Sequence, residues 1–405
     1  MNFALARRRA WVAACVLAIL ARLVVMLRFT GTNDVHYWQE YGASIAKVGL
    51  FETYRTLTQF NHPPLMGLWV LFAEKLGGSD GRWFSFTFKL LPLAGDLLAA
   101  WLLFRHTRPS ATRDAGLKLA CLFLWNPASF LVTAYHGNTD PMLASLCLCA
   151  ALLAQAGNPL GAGLALGAAF NVKILALILL VPLAASARST RELLRFTAAF
   201  AITCVPFVPA LLAVGRPFVE HVFKYNSVPQ PWGLSLFFDD VKAITYLGPY
   251  FASANEKFLP NARYLIIGST ALIALAMKVR GGQRWLEVAA FGLCTSLVLA
   301  PGFGYQYLAW PMPLFFAIDR GRAAKTSVVC GALLGLLYLD FWDGQYPGMS
   351  WMLAWPRIGV VLGAIAWVSL AGWSWRLGRS ILTSRGAQGA VAVGPPGATP
   401  VATSA

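Results

Sequence analysis

The sequence predicts an all-α polytopic membrane protein, and three observations carry that prediction. The chain has 405 residues, 58% of them hydrophobic and only 12% charged. A soluble protein of this size carries roughly twice that charged share. Mean hydropathy is +0.59, and the basic residues gather in short segments between apolar runs.

A net charge of +16 suits a nucleic-acid binder only if it forms a patch. Here it is dispersed. The N-terminus and segments 105–118, 188–195, 278–284, 319–325 and 376–385 hold 19 of the 33 Lys and Arg residues. Only Asp114, Glu192 and Asp319 oppose them, so this surplus equals the whole net charge. That is a positive-inside bias: it puts these segments and both termini in the cytoplasm and excludes a nucleic-acid partner.

Apolar runs of about 20 residues mark the spans. They lie at 10–28, 84–104, 117–135, 139–156, 159–171, 173–187, 195–214, 263–279, 285–300, 304–318, 324–341 and 354–375. This predicts a bundle of about 11–12 transmembrane helices. The pieces 159–171 and 173–187 are short and read as half-depth or tilted segments meeting at Lys173. The stretch 63–77 is decided by charge. As a span it would put the basic segment 105–118 outside; as an interfacial or re-entrant helix it leaves every basic segment inside. We take it as non-spanning. One transmembrane domain, 1–380, then carries two large non-cytoplasmic loops, 30–82 and 215–262. Residues 381–405, rich in Gly, Ala and Pro, read as a disordered cytoplasmic tail.

The apolar run after Arg7–Arg9 lacks a small-residue cleavage site and continues to Leu27, so it reads as an uncleaved first helix. All seven Cys lie in apolar segments without ligand spacing, which points to buried packing. Four of the five His fall in outer segments with scattered spacing. No metal or other cofactor is expected.

Four polar clusters stand out. The first is Asn33-Asp34 with His36, joined by Asn61-His62-Pro63-Pro64-Leu65. Asp34 follows the first span closely, near headgroup depth, where a carboxylate can act as general base toward a hydroxyl. The bland reading of Asn33 and Asp34 is a helix cap. The second is His136-Gly137-Asn138-Thr139-Asp140-Pro141, joining two spans on the same side. Pro141 suits the first turn of the following helix, with Thr139 or Asp140 as cap; capping explains Asp140, but not His136 and Asn138 packed beside it. The third is Asn171-Val172-Lys173. A Lys deep in an apolar run needs a partner: an anionic phosphate, Asp96 or Glu287. The fourth is Gly304-Tyr305-Gln306-Tyr307 with Trp310, a platform for a sugar or headgroup, or an interfacial aromatic belt. Arg263, after the second outer loop, either meets a phosphate or anchors its helix at headgroup depth.

In this order, these pieces resemble the GT-C class of lipid-phosphate-sugar-dependent glycosyltransferases. They are most similar to the dolichyl-phosphate-glucose α-glucosyltransferases, and also look like bacterial polyprenol-phosphate-mannose mannosyltransferases. The resemblance spans about residues 30–320. It rests on Asp34, the Asn-His-Pro-Pro-Leu segment, the helix from Lys89 to Asp96, the hairpin from Trp125 to Asp140, the turn at Asn171–Lys173 and the helix from Tyr305. Two departures stand out. Asn33-Asp34 replaces the acidic pair of some members, and Tyr305-Gln306 stands where the glucosyltransferases carry His-Glu.

The resemblance implies a GT-C-like bundle and an enzyme of the EC 2.4 class. A hexose would move from a polyprenyl-phosphate-sugar to a glycolipid or glycan acceptor on the non-cytoplasmic side, with inversion. Asp34 would be the catalytic base. Lys173, Arg263 and Asn171 would hold the donor phosphate. His36, His62, His136, Asn138, Asp140, Tyr305 and Gln306 would hold sugar or acceptor. The compact loops and Ala/Gly-rich composition favour a bacterial inner membrane. The alternative is a transporter or flippase for a lipid-linked or small solute, using Lys173, Asp96 and Glu287 with broken helices.

Overall fold

The computed structural model describes residues 3–78, 80–107, 113–224, 232–233, 248–300, 302–340 and 356–383. Among them every regular element is a helix. Helix α1 (Phe3–Arg28) leads to three helices of the first outer segment, α2 (Asn33–Val48), α3 (Leu50–Thr56) and α4 (Pro64–Gly77). Helices α5 (Gly81–Thr107), α6 (Arg113–Leu124) and α7 (Pro127–Phe130) follow. A π-helical turn, Leu131–His136, continues α7. Next come α8 (Asp140–Gln155) and α9 (Pro159–Val172), then a 3₁₀ turn, Ile174–Leu179, leading into α10 (Leu180–Ala184). Beyond these lie α11 (Thr190–Thr203), α12 (Phe207–Val214), α13 (Arg216–Phe218), α14 (Gly248–Val279) and α15 (Trp285–Leu299). A 3₁₀ turn, Tyr305–Ala309, precedes α16 (Met312–Ile318), α17 (Arg320–Asp340) and α18 (Pro356–Thr383).

All twelve apolar runs are helical, but they are not equally long. Four helices are long and apolar enough to cross a membrane: Leu5–Arg28, Gly81–Thr107, Asn261–Val279 and Ile358–Thr383. Two bent pairs raise this to six. Asp114–Leu124 meets Pro127–His136 at 50°, and Thr190–Thr203 meets Phe207–Val214 at 55°. Both bends sit at prolines, Pro127 and Pro206, which cannot donate to the helix ladder. By length and composition the described residues therefore hold four to six spans, against the 11–12 expected from hydropathy. Shorter helices, such as α8, α9 and α15, account for much of the difference.

Helix α4 has 14 residues, roughly 21 Å, well short of the ~30 Å hydrocarbon core. It packs on α2 and α5, and Leu65, Leu68, Phe72 and Leu76 form one exposed apolar stripe at helical spacing. The two outer segments touch through Tyr54 and Phe218, whose rings meet edge-on at 4.9 Å.

The second outer segment is more helical at its end than expected, because α14 begins at Gly248 rather than near Arg263. Residues 225–231 and 234–247 of that segment lie outside the described residues, as do 384–405 of the expected tail. Residues 381–383 belong to α18.

The basic ends are partly neutralised in place. Arg7 and Arg8 reach Asp114, Arg284 reaches Glu287, and Arg376 reaches Asp319. All seven Cys are free.

Candidate functional site

The site forms where α1 ends, α2 and α8 begin, the π-helical turn closes and the 3₁₀ turn at Tyr305 starts. Two glycines let these segments approach. A Cβ on Gly31 would lie 2.8 Å from the Tyr135 carbonyl oxygen and 2.9 Å from that of His136. Gly137, at φ +76°, would press a Cβ to 2.7 Å from both Lys89 Cε and Val35 Cγ2. Only glycine suits that left-handed position in so little space.

Asp34 lies in the first turn of α2, but its side chain makes no capping bond. Instead its Oδ2 accepts from His136 Nε2 at 3.1 Å, Asn138 Nδ2 at 2.6 Å and Gln306 Nε2 at 3.4 Å. Oδ1 receives no hydrogen bond among the described residues, and the side chain is 34% exposed. One oxygen is thus saturated by protein while the other is left for something else. Burial alone would raise the Asp34 carboxyl. The charge and hydrogen bond of His136, the amide of Asn138 and the charge of Lys173 outweigh it and bring the carboxyl down to about 2.

His136 is 3% exposed. Its Nδ1 faces Thr32 Oγ1 at 3.0 Å, and its ring stacks on Tyr338 at 5.3 Å and 17°. Asn138 spends its carbonyl on the Thr139 backbone N–H at 2.7 Å, which aims its amide at Asp34.

Asp140 is fully buried. Its Oδ1 accepts from Lys173 Nζ at 2.9 Å and from Trp310 Nε1, while Oδ2 has no partner among the described residues. The capping expectation for Asp140 is corrected, because the helix N-cap is Thr139 and Asp140 is the counter-ion of Lys173. The two partners offered for Lys173 are corrected with it. Asp96 pairs with Arg22 at 3.1 Å, and Glu287 pairs with Arg284. Lys173 also lies over the rings of Tyr307, at 4.6 Å, and Trp310, at 5.5 Å. The aromatic run from Tyr305 is therefore a wall around a cation.

The His62 ring packs on that of Trp38 at 4.0 Å, tilted by 33°. Burial, then the charge of Lys173, holds its imidazole down to about 3 against the pull of Asp34. It is neutral near pH 7 and cannot serve as a counter-cation. Among the described residues its ring nitrogens receive no hydrogen bond. Tyr305 heads the 3₁₀ turn that carries Gln306 to Asp34. Trp232 stacks on Phe303 at 3.9 Å just before that turn.

Three expected site residues are not gathered in. Asn171 donates its amide to the carbonyls of Gly167 at 2.9 Å and Thr203 at 2.7 Å, which leaves no donor for a phosphate. His36 is exposed on α2. Arg263 is exposed along α14 beside Tyr264. No group of three metal-ligating residues occurs among the described residues. Sequence reasoning missed Thr32 and Tyr338. Thr32 had a local signal, as a small hydroxyl residue directly before α2. Tyr338 had none.

The model of glycosyltransferase family 87 matches residues 60–301, more than half of the chain. The match includes His62, His136, Asn138, Asp140 and Lys173 and stops short of Asp34 and Gln306. No curated protein matches.

Proposed function

The chain belongs to glycosyltransferase family 87, and from that membership we propose that this multi-pass membrane glycosyltransferase uses a polyprenyl-phosphate-hexose as donor and Asp34 as base. The observation that carries the reading is the Asp34 carboxylate. It is ionised and partly exposed, with Oδ2 held by three donors and Oδ1 unoccupied.

The step balances as follows. Oδ1 takes the proton from an acceptor hydroxyl of a glycolipid or glycan. The oxygen attacks the anomeric carbon in line, the bond from that carbon to the phosphate oxygen breaks, and configuration inverts. Polyprenyl phosphate departs as an anion, so no general acid is needed. Lys173, held by Asp140, offsets the departing charge with its remaining N–H bonds. His136, Asn138 and Gln306 orient the base; His62 and Tyr305 face sugar or acceptor. Asn171 and Arg263 carry no donor-binding role in this scheme.

The positive-inside bias supports both termini cytoplasmic and the Asp34 end outside, and the compact loops and Ala/Gly-rich composition favour a bacterial inner membrane. The transporter alternative drew on intramembrane Lys173, Asp96 and Glu287 with broken helices; each of these charges is paired with another side chain.

The test is transfer by purified protein from a panel of polyprenyl-phosphate hexoses to a native lipid extract. We expect an inverted glycoside from at least one donor. If nucleotide sugars alone support transfer, the lipid-donor reading fails. Solute flux in liposomes without transfer would favour the transporter.

A further inference from the structure

We infer that Thr32 is a positioning residue, whose hydroxyl holds the His136 ring so that Nε2–H faces the Asp34 carboxylate. The inference rests on Asp34 acting as base. It adds a residue to which the resemblance gives no role and which lies outside the family match.

A carboxylate only accepts, so His136 Nε2, 3.1 Å from Asp34 Oδ2, carries a hydrogen. The other ring nitrogen then depends on its own neighbour, which is Thr32 Oγ1 at 3.0 Å. A hydroxyl both donates and accepts. It can donate to a bare Nδ1. It can also accept from a protonated Nδ1 while turning its own hydrogen to the His136 carbonyl oxygen, 3.5 Å away. The ring therefore keeps one orientation in either charge state.

Thr32 is itself fixed. It is 3% exposed, and its backbone N–H points to the His136 carbonyl at 3.4 Å. The two residues that lead to it are held from α5. Lys89, fully buried, donates to the Phe29 carbonyl at 2.9 Å, and Ser85 donates to the Thr30 carbonyl at 2.5 Å. A cation suits the carbonyl end of α1. Tyr338 closes one face of the imidazole. A flipped ring would put Cε1 where Nε2 faces Asp34 and Cδ2 where Nδ1 faces Thr32, and so break both contacts. The Thr32 contact adds to that of Asp34 in fixing this orientation.

The test compares Thr32→Val, which keeps the shape and loses the hydroxyl, with Thr32→Ser, which keeps the hydroxyl. We expect Thr32→Val to lower kcat about tenfold with KM within about twofold, the loss of about one hydrogen bond, and Thr32→Ser to recover most of it. A readout independent of turnover is the ¹⁵N spectrum of histidine-labelled protein, with His136 assigned by its absence in His136→Gln. The wild type should give one tautomer with Nε2 protonated, Thr32→Ser the same, and Thr32→Val a shifted or averaged signal. An unchanged His136 signal in Thr32→Val overturns the inference, whatever its turnover. So does a Thr32→Ser protein as slow as Thr32→Val. If Asp34→Asn keeps normal turnover, the base reading fails, while the nitrogen shifts still decide the role of Thr32.

Discussion

Two of the ion-paired carboxylates, Asp96 and Asp34, are built to opposite ends. Asp96, in the middle of α5, is 1% exposed, and both its oxygens are engaged. Oδ2 accepts from Arg22 and Thr133, and Oδ1 from Ser129. Asp34, at the end of the bundle, is 34% exposed, with three donors on one oxygen and none on the other. A carboxylate with both oxygens engaged in a sealed site joins helices. One with half its capacity reserved, at an accessible edge, is equipped to meet a substrate. The difference lies in satisfaction and access rather than in residue type.

The largest expected effect separates the two by activity. Asp34→Asn should cut transfer by about 10²–10⁴-fold, the usual scale for losing a general base. Its thermal unfolding midpoint should stay near wild type. Asp96→Asn should do the reverse, leaving transfer per folded molecule near normal. A turnover loss in Asp96→Asn, with Asp34→Asn unaffected, would invert the comparison.

The second effect concerns stability. Removing one partner of a sealed ion pair strands the other charge, at a cost of about 3–5 kcal/mol. Arg22→Met and Asp96→Asn should each destabilise the protein by that order, read by unfolding in detergent. The double variant should be more stable than either single one, since no charge is stranded. Arg22 also holds its guanidinium over the Phe130 ring at 4.9 Å, so methionine keeps some of the packing.

The parts of this comparison differ in how legible they were. Hydropathy marked nearly every helix, and charge bias alone separated 63–77 from the spans. His136, Asn138 and Asp140 stood out because three polar side chains within five residues at a span boundary exceed what capping needs. The partnerships could not be read. Asp34 and Gln306 are 272 positions apart, and Asp140 and Trp310 are 170 apart. No local pattern encodes such pairs. Lys173 was recognised as needing an anion, yet its partner was sought in Asp96 and Glu287 because Asp140 already had a local explanation as a cap. Arg22 was hidden inside an apolar run, with nothing nearby to indicate a buried partner in α5.

A third, smaller effect tests the cause of Asp34's acidity. Its carboxyl sits near 2, below the usual 3.8, so it is ionised across the working range. The sign follows from the lowered value. The stabilisation from its charged contacts is present above pH 3.8 and fades as the pH falls through about 2. Between about pH 5 and pH 8 the base should therefore contribute no acid limb to kcat/KM. His136→Gln removes the strongest lowering influence and leaves burial, which raises, opposed only by Asn138 and Lys173. The acid limb of that variant should move upward, measured as kcat/KM against pH. An unmoved limb would mean that His136 does not set the ionisation of Asp34.

The smallest expected effect marks where the site ends. Arg263 is exposed on α14 and lies beside Tyr264, 5.6 Å from its ring. An exposed contact of that kind is worth about 0.5–1 kcal/mol at most. Lys173, by contrast, is 17% exposed and held between Asp140 and two aromatic rings. If the leaving phosphate is met by Lys173, Arg263→Ala should leave kcat and donor KM within about twofold, and Lys173→Met should cost at least tenfold. The two variants share one assay, so differences in donor or detergent cancel. A tenfold rise in donor KM for Arg263→Ala would extend the site along α14. The lipid phosphate would then lie nearer the start of that helix than the pair of Lys173 and Asp140.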